Sequence, residues 1–178
     1  MRVLVEGLDN VGKSTLITGL TKHYKEPFLH LHYYANPDKE HPLEWANIQF
    51  RNLFNILRDY GSVISDRSHI GEMVYPILYH GYDGSFIYKI EETNKDICDD
   101  IFLITLIDDP ENLIERDDNQ SLSTDLDFKK REIDLFIEAT NKSNIKNKII
   151  INVKDYPKDD LLKYVIDFID SVNTKRGE

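Results

Sequence analysis

The chain has one cysteine, Cys98, in 178 residues, so no internal disulfide can form and a reducing compartment is the natural setting. No apolar run approaches bilayer-spanning length, and the start carries no signal-peptide pattern, so a cytoplasmic protein without a membrane partner is expected. Positive charge is scarce. The 22 Lys and Arg face 32 Asp and Glu, for a net charge of −10. That balance argues against sequence-independent nucleic-acid binding, which needs a basic surface. It leaves nucleotide binding open, because a phosphate loop supplies its positive potential locally. Repeats and linkers are missing too, and the length suits one domain, residues 1–178, with a sizeable core.

What is present starts almost at the N-terminus. Gly7-Leu8-Asp9-Asn10-Val11-Gly12-Lys13-Ser14-Thr15 fits G-x-x-x-x-G-K-[ST], a phosphate-binding loop. The apolar run Arg2–Glu6 before it reads as a buried strand, and Leu16, Ile17 and Leu20 after it recur at helical spacing. Gly7 and Gly12 permit backbone angles closed to other residues, so the amides of Asn10, Val11 and their neighbours can turn around a polyphosphate. The helix N-terminus adds partial positive charge. Lys13 can reach the β and γ phosphates, and the Ser14 hydroxyl can ligate Mg²⁺. A glycine turn that merely caps a helix is the plain alternative, and the flanking strand and helix count against it. The stretch predicts nucleoside-triphosphate binding.

Further along, a strand is expected in Phe28–Tyr33, where His30 and His32 share one face. Two histidines at that spacing can ligate a metal, but no third ligand is evident nearby, and exposed or hydrogen-bonded histidines are the simpler expectation. Leu43–Asp59 reads as a helix through Trp45, Ile48, Leu53, Phe54 and Leu57, with Gly61 as its left-handed cap. His69–His80 continues as a helix interrupted at Pro76, and Phe86–Glu92 is amphipathic. Asp99–Ile107 is the most apolar run and is expected to be a central parallel strand. A helix starts at Asp108–Glu111. Asp117–Asp127 is polar and reads as a mobile lid around 116–128. Phe128–Thr140 is helical, Lys148–Val153 a last strand and Asp159–Val172 a closing helix, after which Asn173–Glu178 should fray. This alternation predicts an α/β fold of the P-loop NTPase type: three layers, with helices on both faces of a five-stranded parallel sheet.

Val63-Ile64-Ser65-Asp66-Arg67-Ser68 is the second informative stretch, an apolar strand ending in an acidic–basic pair. Ligands of open α/β sheets bind beyond the carboxyl ends of the strands, so Asp66 and Arg67 would face the phosphate loop. Asp66 can hold the Mg²⁺ water shell or accept a proton, and Arg67 can clamp a phosphate bidentately. A surface ion pair is the bland alternative. Among P-loop classes, a GTPase would need an Asn-Lys-x-Asp guanine signature. Asn141-Lys142-Ser143-Asn144 lacks the aspartate and falls in a connection that looks solvated. No Asp-x-x-Gly switch follows Asp66, and motor ATPases are usually larger. Size and the strand-end pair favour a small-molecule kinase.

Glu6–Thr15 resembles the Glu-Gly-x-Asp-x-x-Gly-Lys-Ser-Thr loop of thymidylate kinases, and Asp66-Arg67-Ser68 resembles that family's Asp-Arg-Tyr. Val74-Tyr75 falls where its Ala-Tyr stands, and Pro110-Glu111 through Arg116 is similar to the segment leading to its lid arginine. The resemblance implies transfer of the γ-phosphoryl group of ATP, with Mg²⁺, to a deoxypyrimidine monophosphate, dTMP or a dUMP-like acceptor. It places Asp9 near the acceptor sugar and metal, and Lys13, Arg67 and Arg116 on the phosphates. Glu72 would read the N3–H of thymine or uracil, and Tyr75 would crowd the sugar 2′ position. Trp45 and Phe50 would wall the base, unless they only pack the core. Arg51 stands in for an arginine toward the monophosphate. Val153, just past the last strand, would touch adenine through its backbone. A homodimer is implied as well.

The departures from that family are specific. Tyr34-Ala35-Asn36-Pro37 replaces an Arg-Glu-Pro element, and Ser68 in place of tyrosine leans toward the Glu-Arg-Ser of deoxynucleoside kinases. Asn10 and Val11 are not basic, and the lid after Arg116 is acidic until Lys129. Such divergence would suit a phage or viral enzyme. A deoxynucleoside kinase with Asp66 as base, and a non-catalytic nucleotide-binding module, are the alternatives.

Overall fold

The computed structural model describes residues 1–34, 38, 40–117 and 121–177, without the side chains of 158, 159, 176 and 177. Five parallel strands form one sheet: β1 (Arg2–Gly7), β2 (Leu29–His32), β3 (Val63–Asp66), β4 (Ile101–Ile107) and β5 (Asn147–Asn152). Their order is β2-β3-β1-β4-β5. The chain winds outward from β1 to one side and then to the other, which opens a crevice at the carboxyl ends of β1 and β3. The apolar runs Val3–Val5 and Ile101–Ile104 are buried because helices cover both faces of a parallel sheet.

The helices are α1 (Lys13–Tyr24), α2 (Pro42–Asp59), α3 (Phe86–Thr93), α4 (Lys95–Cys98), α5 (Pro110–Glu115), α6 (Leu126–Lys142) and α7 (Lys158–Gly177). On α2 the inward face is Ala46, Phe50, Leu53, Phe54 and Leu57. Ile48, expected inside, is exposed, because it lies about 200° around the helix from Phe50. Gly61 is not the expected left-handed cap: Tyr60 is extended and Gly61 has no positive φ. The chain runs straight into β3 there, and the Gly61 carbonyl accepts from the Met1 ammonium at 2.6 Å. The closing helix runs past the expected end at Val172, with α7 assigned through Gly177. Residues 118–120 of the expected lid, and Ala35, Asn36 and Pro37, lie outside the described residues. Among the described residues, no helix is long and apolar enough to cross a membrane.

His69–His80 is not one helix. It is a 3₁₀ turn, His69–Met73, followed by a π-helical turn, Pro76–His80. Pro76 has no N–H to continue a helical ladder, and the first turn is gripped from another strand. Glu6 Oε1 accepts from the Ser68 amide at 2.7 Å, the Ser68 hydroxyl at 2.8 Å and the Gly71 amide at 3.2 Å.

The Asn141–Asn144 connection is exposed as expected at Asn141, Lys142 and Asn144, but Ser143 is buried and the connection is pinned from inside. Glu91, fully buried on α3, accepts from Ser143 Oγ at 2.5 Å and the Asn144 amide at 2.6 Å, and meets His69 Nε2 at 2.8 Å. Burial pushes the Glu91 pKa up, but His69 and the hydrogen bonds of Ser143 and Asn144 outweigh it and hold the carboxyl below its ordinary value. A carboxylate depressed by folding stabilises the fold above its unfolded pKa and stops doing so as pH falls through the folded value. Glu91→Ala is therefore expected to cost about 3–5 kcal/mol near neutral pH. The difference from wild type should shrink as pH drops below about 4.3. Urea titrations across the acid range check both.

Candidate active site

The loop between β1 and α1 takes the backbone its glycines allow. Gly7 has φ +130°, Asn10 +60° and Gly12 +99°. Gly12 caps α1 without a side-chain hydrogen bond, which suits the first-turn amides to an anion. Lys13 is 7 % exposed and arches back over the loop, donating to Gly7 O at 3.0 Å and Leu8 O at 2.6 Å. Burial, then the charge of Arg67, pushes its pKa down. The negative charge of an arriving polyphosphate would oppose both effects and favour the charged ammonium.

The end of β3 is set by register: Val5 pairs with Asp66, which brings Arg67 beside the loop. The Arg67 amide donates to Val5 O at 2.9 Å, and Ser65 Oγ donates to Arg67 O at 2.6 Å. These bonds hold Arg67 at φ +68°, a left-handed angle that costs a non-glycine residue about 1–3 kcal/mol. The guanidinium donates to Asp9 Oδ1 at 2.5 Å and lies 3.4 Å from Tyr33 O. Asp66 Oδ2 accepts from Ser14 Oγ at 2.8 Å, while the buried Asp66 Oδ1 has no partner among the described residues. A hydroxyl beside an orphaned carboxylate oxygen, at the mouth of a phosphate loop, fits a hard divalent cation such as Mg²⁺.

Two adjoining hollows meet here. One, of about 690 Å³, is lined by Asn10, Gly12, Lys13, Ser14, Thr15 and Asp66. The other, of about 240 Å³, is lined by Glu6, Tyr33, Phe50, Glu72, Tyr75 and Tyr82. Asp9, Tyr34 and Arg67 line both. The polar hollow suits a polyphosphate, and the smaller aromatic one suits a nucleobase. Glu72 points a carboxylate into the smaller hollow, with Tyr82 Oη donating to its Oε2 at 2.7 Å. Burial, and to a lesser degree Glu6, pushes the Glu72 pKa up despite that bond. Tyr75 packs edge-on against Phe136, 5.9 Å between centroids, and burial keeps its phenol neutral.

A third cleft continues from the phosphate loop past Val11, Val153, Tyr156 and Leu161. Arg116 lines it and the phosphate hollow alike. Its guanidinium is paired with the buried Asp108, and its Nε donates to Asn112 O at 3.0 Å. Lys129 does not relieve the acidity of the lid, because it is buried and bonded to Glu132 at 2.9 Å.

Two residues expected at the acceptor site are not brought there. Arg51 lies on the exposed side of α2, where its Nε donates to Asn47 Oδ1 at 2.6 Å, and it does not line the base-sized hollow. It follows Phe50 by about 100° of helix, so the phase that buries Phe50 turns Arg51 outward. Trp45 is half-buried and packs on the core, away from the hollow. Sequence reasoning missed Glu6, Tyr82 and Tyr156 as site residues. Only Glu6 carried a signal, a carboxylate inside an otherwise apolar strand.

No family model and no curated protein matches the chain. Solved structures do. The Bacillus subtilis YorR protein, in complex with phosphorylated GDP, is 19 % identical, with 96 % of each chain covered and a TM-score of 0.74. Thymidylate kinase from Candida albicans is 18 % identical over 95 % of this chain and 90 % of its own, with a TM-score of 0.61. Deoxyadenosine kinase from M. mycoides with bound dCTP is 14 % identical over 96 % of this chain and 100 % of its own, with a TM-score of 0.57. At these identities the likeness speaks for architecture. The chain carries the P-loop kinase fold that these structures share.

Proposed function

We propose that the protein transfers the γ-phosphoryl group of ATP to a deoxynucleoside monophosphate, with dTMP as the acceptor favoured by its motifs. One observation carries this: Arg67 and Asp9 line both the phosphate-loop hollow and the base-sized hollow, so one guanidinium stands where two anionic groups would meet. ATP would thread from the Val153–Tyr156 cleft onto the loop amides and Lys13. The monophosphate would enter beside Phe50 and Tyr75 with its phosphate on Arg67. An acceptor phosphate oxygen then forms a bond to γ-phosphorus as the bond to the β-bridging oxygen breaks, and ADP leaves. The acceptor is already anionic, so no strong base is needed, and positioning with charge neutralisation carries the rate. Ser14 and Asp66 would hold Mg²⁺, which supplies charge neutralisation at the β and γ phosphates. Arg116 would exchange Asp108 for phosphate oxygens.

Deoxynucleoside kinase activity with Asp66 as base is disfavoured by placement. Asp66 lines the phosphate hollow, not the base-sized one, and is bonded to Ser14, while Asp9 borders both. A guanine monophosphate is the second acceptor to consider. A carboxylate such as Glu72 can take the N1–H and the 2-amino group of guanine together, and the B. subtilis neighbour holds a phosphorylated GDP. Initial rates with ATP and Mg²⁺ on dTMP, dUMP, dCMP, dGMP and the parent nucleosides test the proposal. Transfer to a nucleoside but to no monophosphate would remove it. In the same assay, Glu72→Gln is expected to reduce the kcat/KM ratio of thymine over cytosine acceptors by about ten- to a hundredfold. An unchanged ratio would take base reading away from Glu72.

A further inference from the structure

We propose that His32, Asp66 and Ser14 form a divalent-cation site with an imidazole donor, suited to first-row transition ions such as Mn²⁺ and Co²⁺ as well as to Mg²⁺. The inference deepens the reading of Ser14 and Asp66 as the metal pole of a nucleotide site and rests on it. The third ligand that β2 does not supply comes from the neighbouring strand. His32 and Asp66 are register partners across β2 and β3. His32 Nδ1 lies 3.5 Å from Asp66 Oδ2, which Ser14 Oγ approaches to 2.8 Å. Two donors each about 2.1 Å from one cation, at roughly right angles or a little wider, stand about 3.0–3.4 Å apart. The 3.5 Å and 2.8 Å separations lie just outside that range on either side, so shifts of a few tenths of an ångström bring His32 and Ser14 to ligand spacing about the Asp66 carboxylate.

Asp66 Oδ1, buried and without a partner among the described residues, is a carboxylate oxygen still lacking a positive or donating group. The Tyr34 ring packs on the imidazole at 4.3 Å between centroids and restricts its rotation. Among the described residues no three His, Cys, Asp or Glu are grouped so as to hold a metal ion, and here the third donor is the hydroxyl of Ser14, bonded to Asp66. His30 shares the strand face, but its register partner is Ile64, which offers no donor.

The protons are accounted for. His32 Nε2 faces Arg67 Nη1 at 3.4 Å, so in the metal-free protein Nε2 offers its lone pair and Nδ1 carries the proton. Metal on Nδ1 moves that proton to Nε2 and ends the contact, while Arg67 keeps its bond to Asp9. An all-oxygen site suits Mg²⁺, whereas an imidazole nitrogen favours transition ions in the Irving–Williams order.

The experiment titrates Co²⁺, and separately Mg²⁺, into the full chain without nucleotide, by calorimetry and visible absorption. Wild type should bind one Co²⁺ with a nitrogen-ligand spectrum. His32→Ala should lower the Co²⁺-to-Mg²⁺ affinity ratio at least about tenfold, and His30→Ala should leave it unchanged. Independently of any variant, Mn²⁺ should broaden the His32 ring resonances ahead of those of His30. The same ratio in His32→Ala and wild type, loss confined to His30→Ala, or earlier broadening at His30 would each overturn the site. Mg²⁺·ATP binding to wild type is measured alongside. Its absence would count against the kinase proposal, while the Co²⁺ data judge the imidazole.

Discussion

Arg67→Ala is expected to lower kcat by about 10³–10⁵-fold, the range for removing an arginine that neutralises charge in phosphoryl transfer. Asp9 and Tyr33 O aim the guanidinium, and it borders both hollows, so nothing else described can bridge the two phosphates in its place. Lysine is not expected to rescue it, because a point charge lacks the planar fork that holds one group while meeting another. Backbone and side chain can be separated. Arg67→Gly relieves the +68° φ and should remain within about 1 kcal/mol of wild-type stability while being as inactive as the alanine variant. Steady-state kinetics and chemical denaturation on both variants are the checks. Near-native kcat in either would refute the role of Arg67.

Gly7→Ala is expected to damage fold and site together. A Cβ at Gly7 would lie 2.0 Å from the Leu106 carbonyl oxygen, a backbone atom of β4 that cannot step aside. Gly7 is also register partner to Leu106, so the clash falls within the strand pair that centres the sheet. Its φ of +130° is closed to alanine as well. Strain and overpacking together predict a loss of about 2–6 kcal/mol, with ATP binding lost in whatever still folds. Gly12 makes a contrast. Its Cβ would meet nothing within 4 Å, so Gly12→Ala carries only the cost of its +99° φ. Denaturation midpoints should rank wild type, Gly12→Ala, Gly7→Ala.

What could be read from the chain had local causes. The Gly7 and Gly12 angles, the strand ending in Asp66 and Arg67, and the buried run of β4 follow from residue type and spacing, and each stands where it was expected. What could not be read depends on partners far along the chain. Glu6 shapes the turn after β3 from 62 residues away, and Glu91 pins the α6–β5 connection from 52 residues away. His32 meets Asp66 only once the sheet has set their register. Arg51 was misplaced for a smaller reason: one step of helix separates Phe50, aimed into a cavity, from Arg51, aimed into water.

In the proposed mechanism a single junction, Arg67 with Asp9, receives the phosphates of two nucleotides at once. Binding of adenosine joined by a polyphosphate bridge to the nucleoside selected by the acceptor panel tests this most directly. The bridged compound should compete with both ATP and the monophosphate, bind far more tightly than either, and lose that advantage in Arg67→Ala. Competition with only one of them, or equal affinity in wild type and Arg67→Ala, would contradict the account.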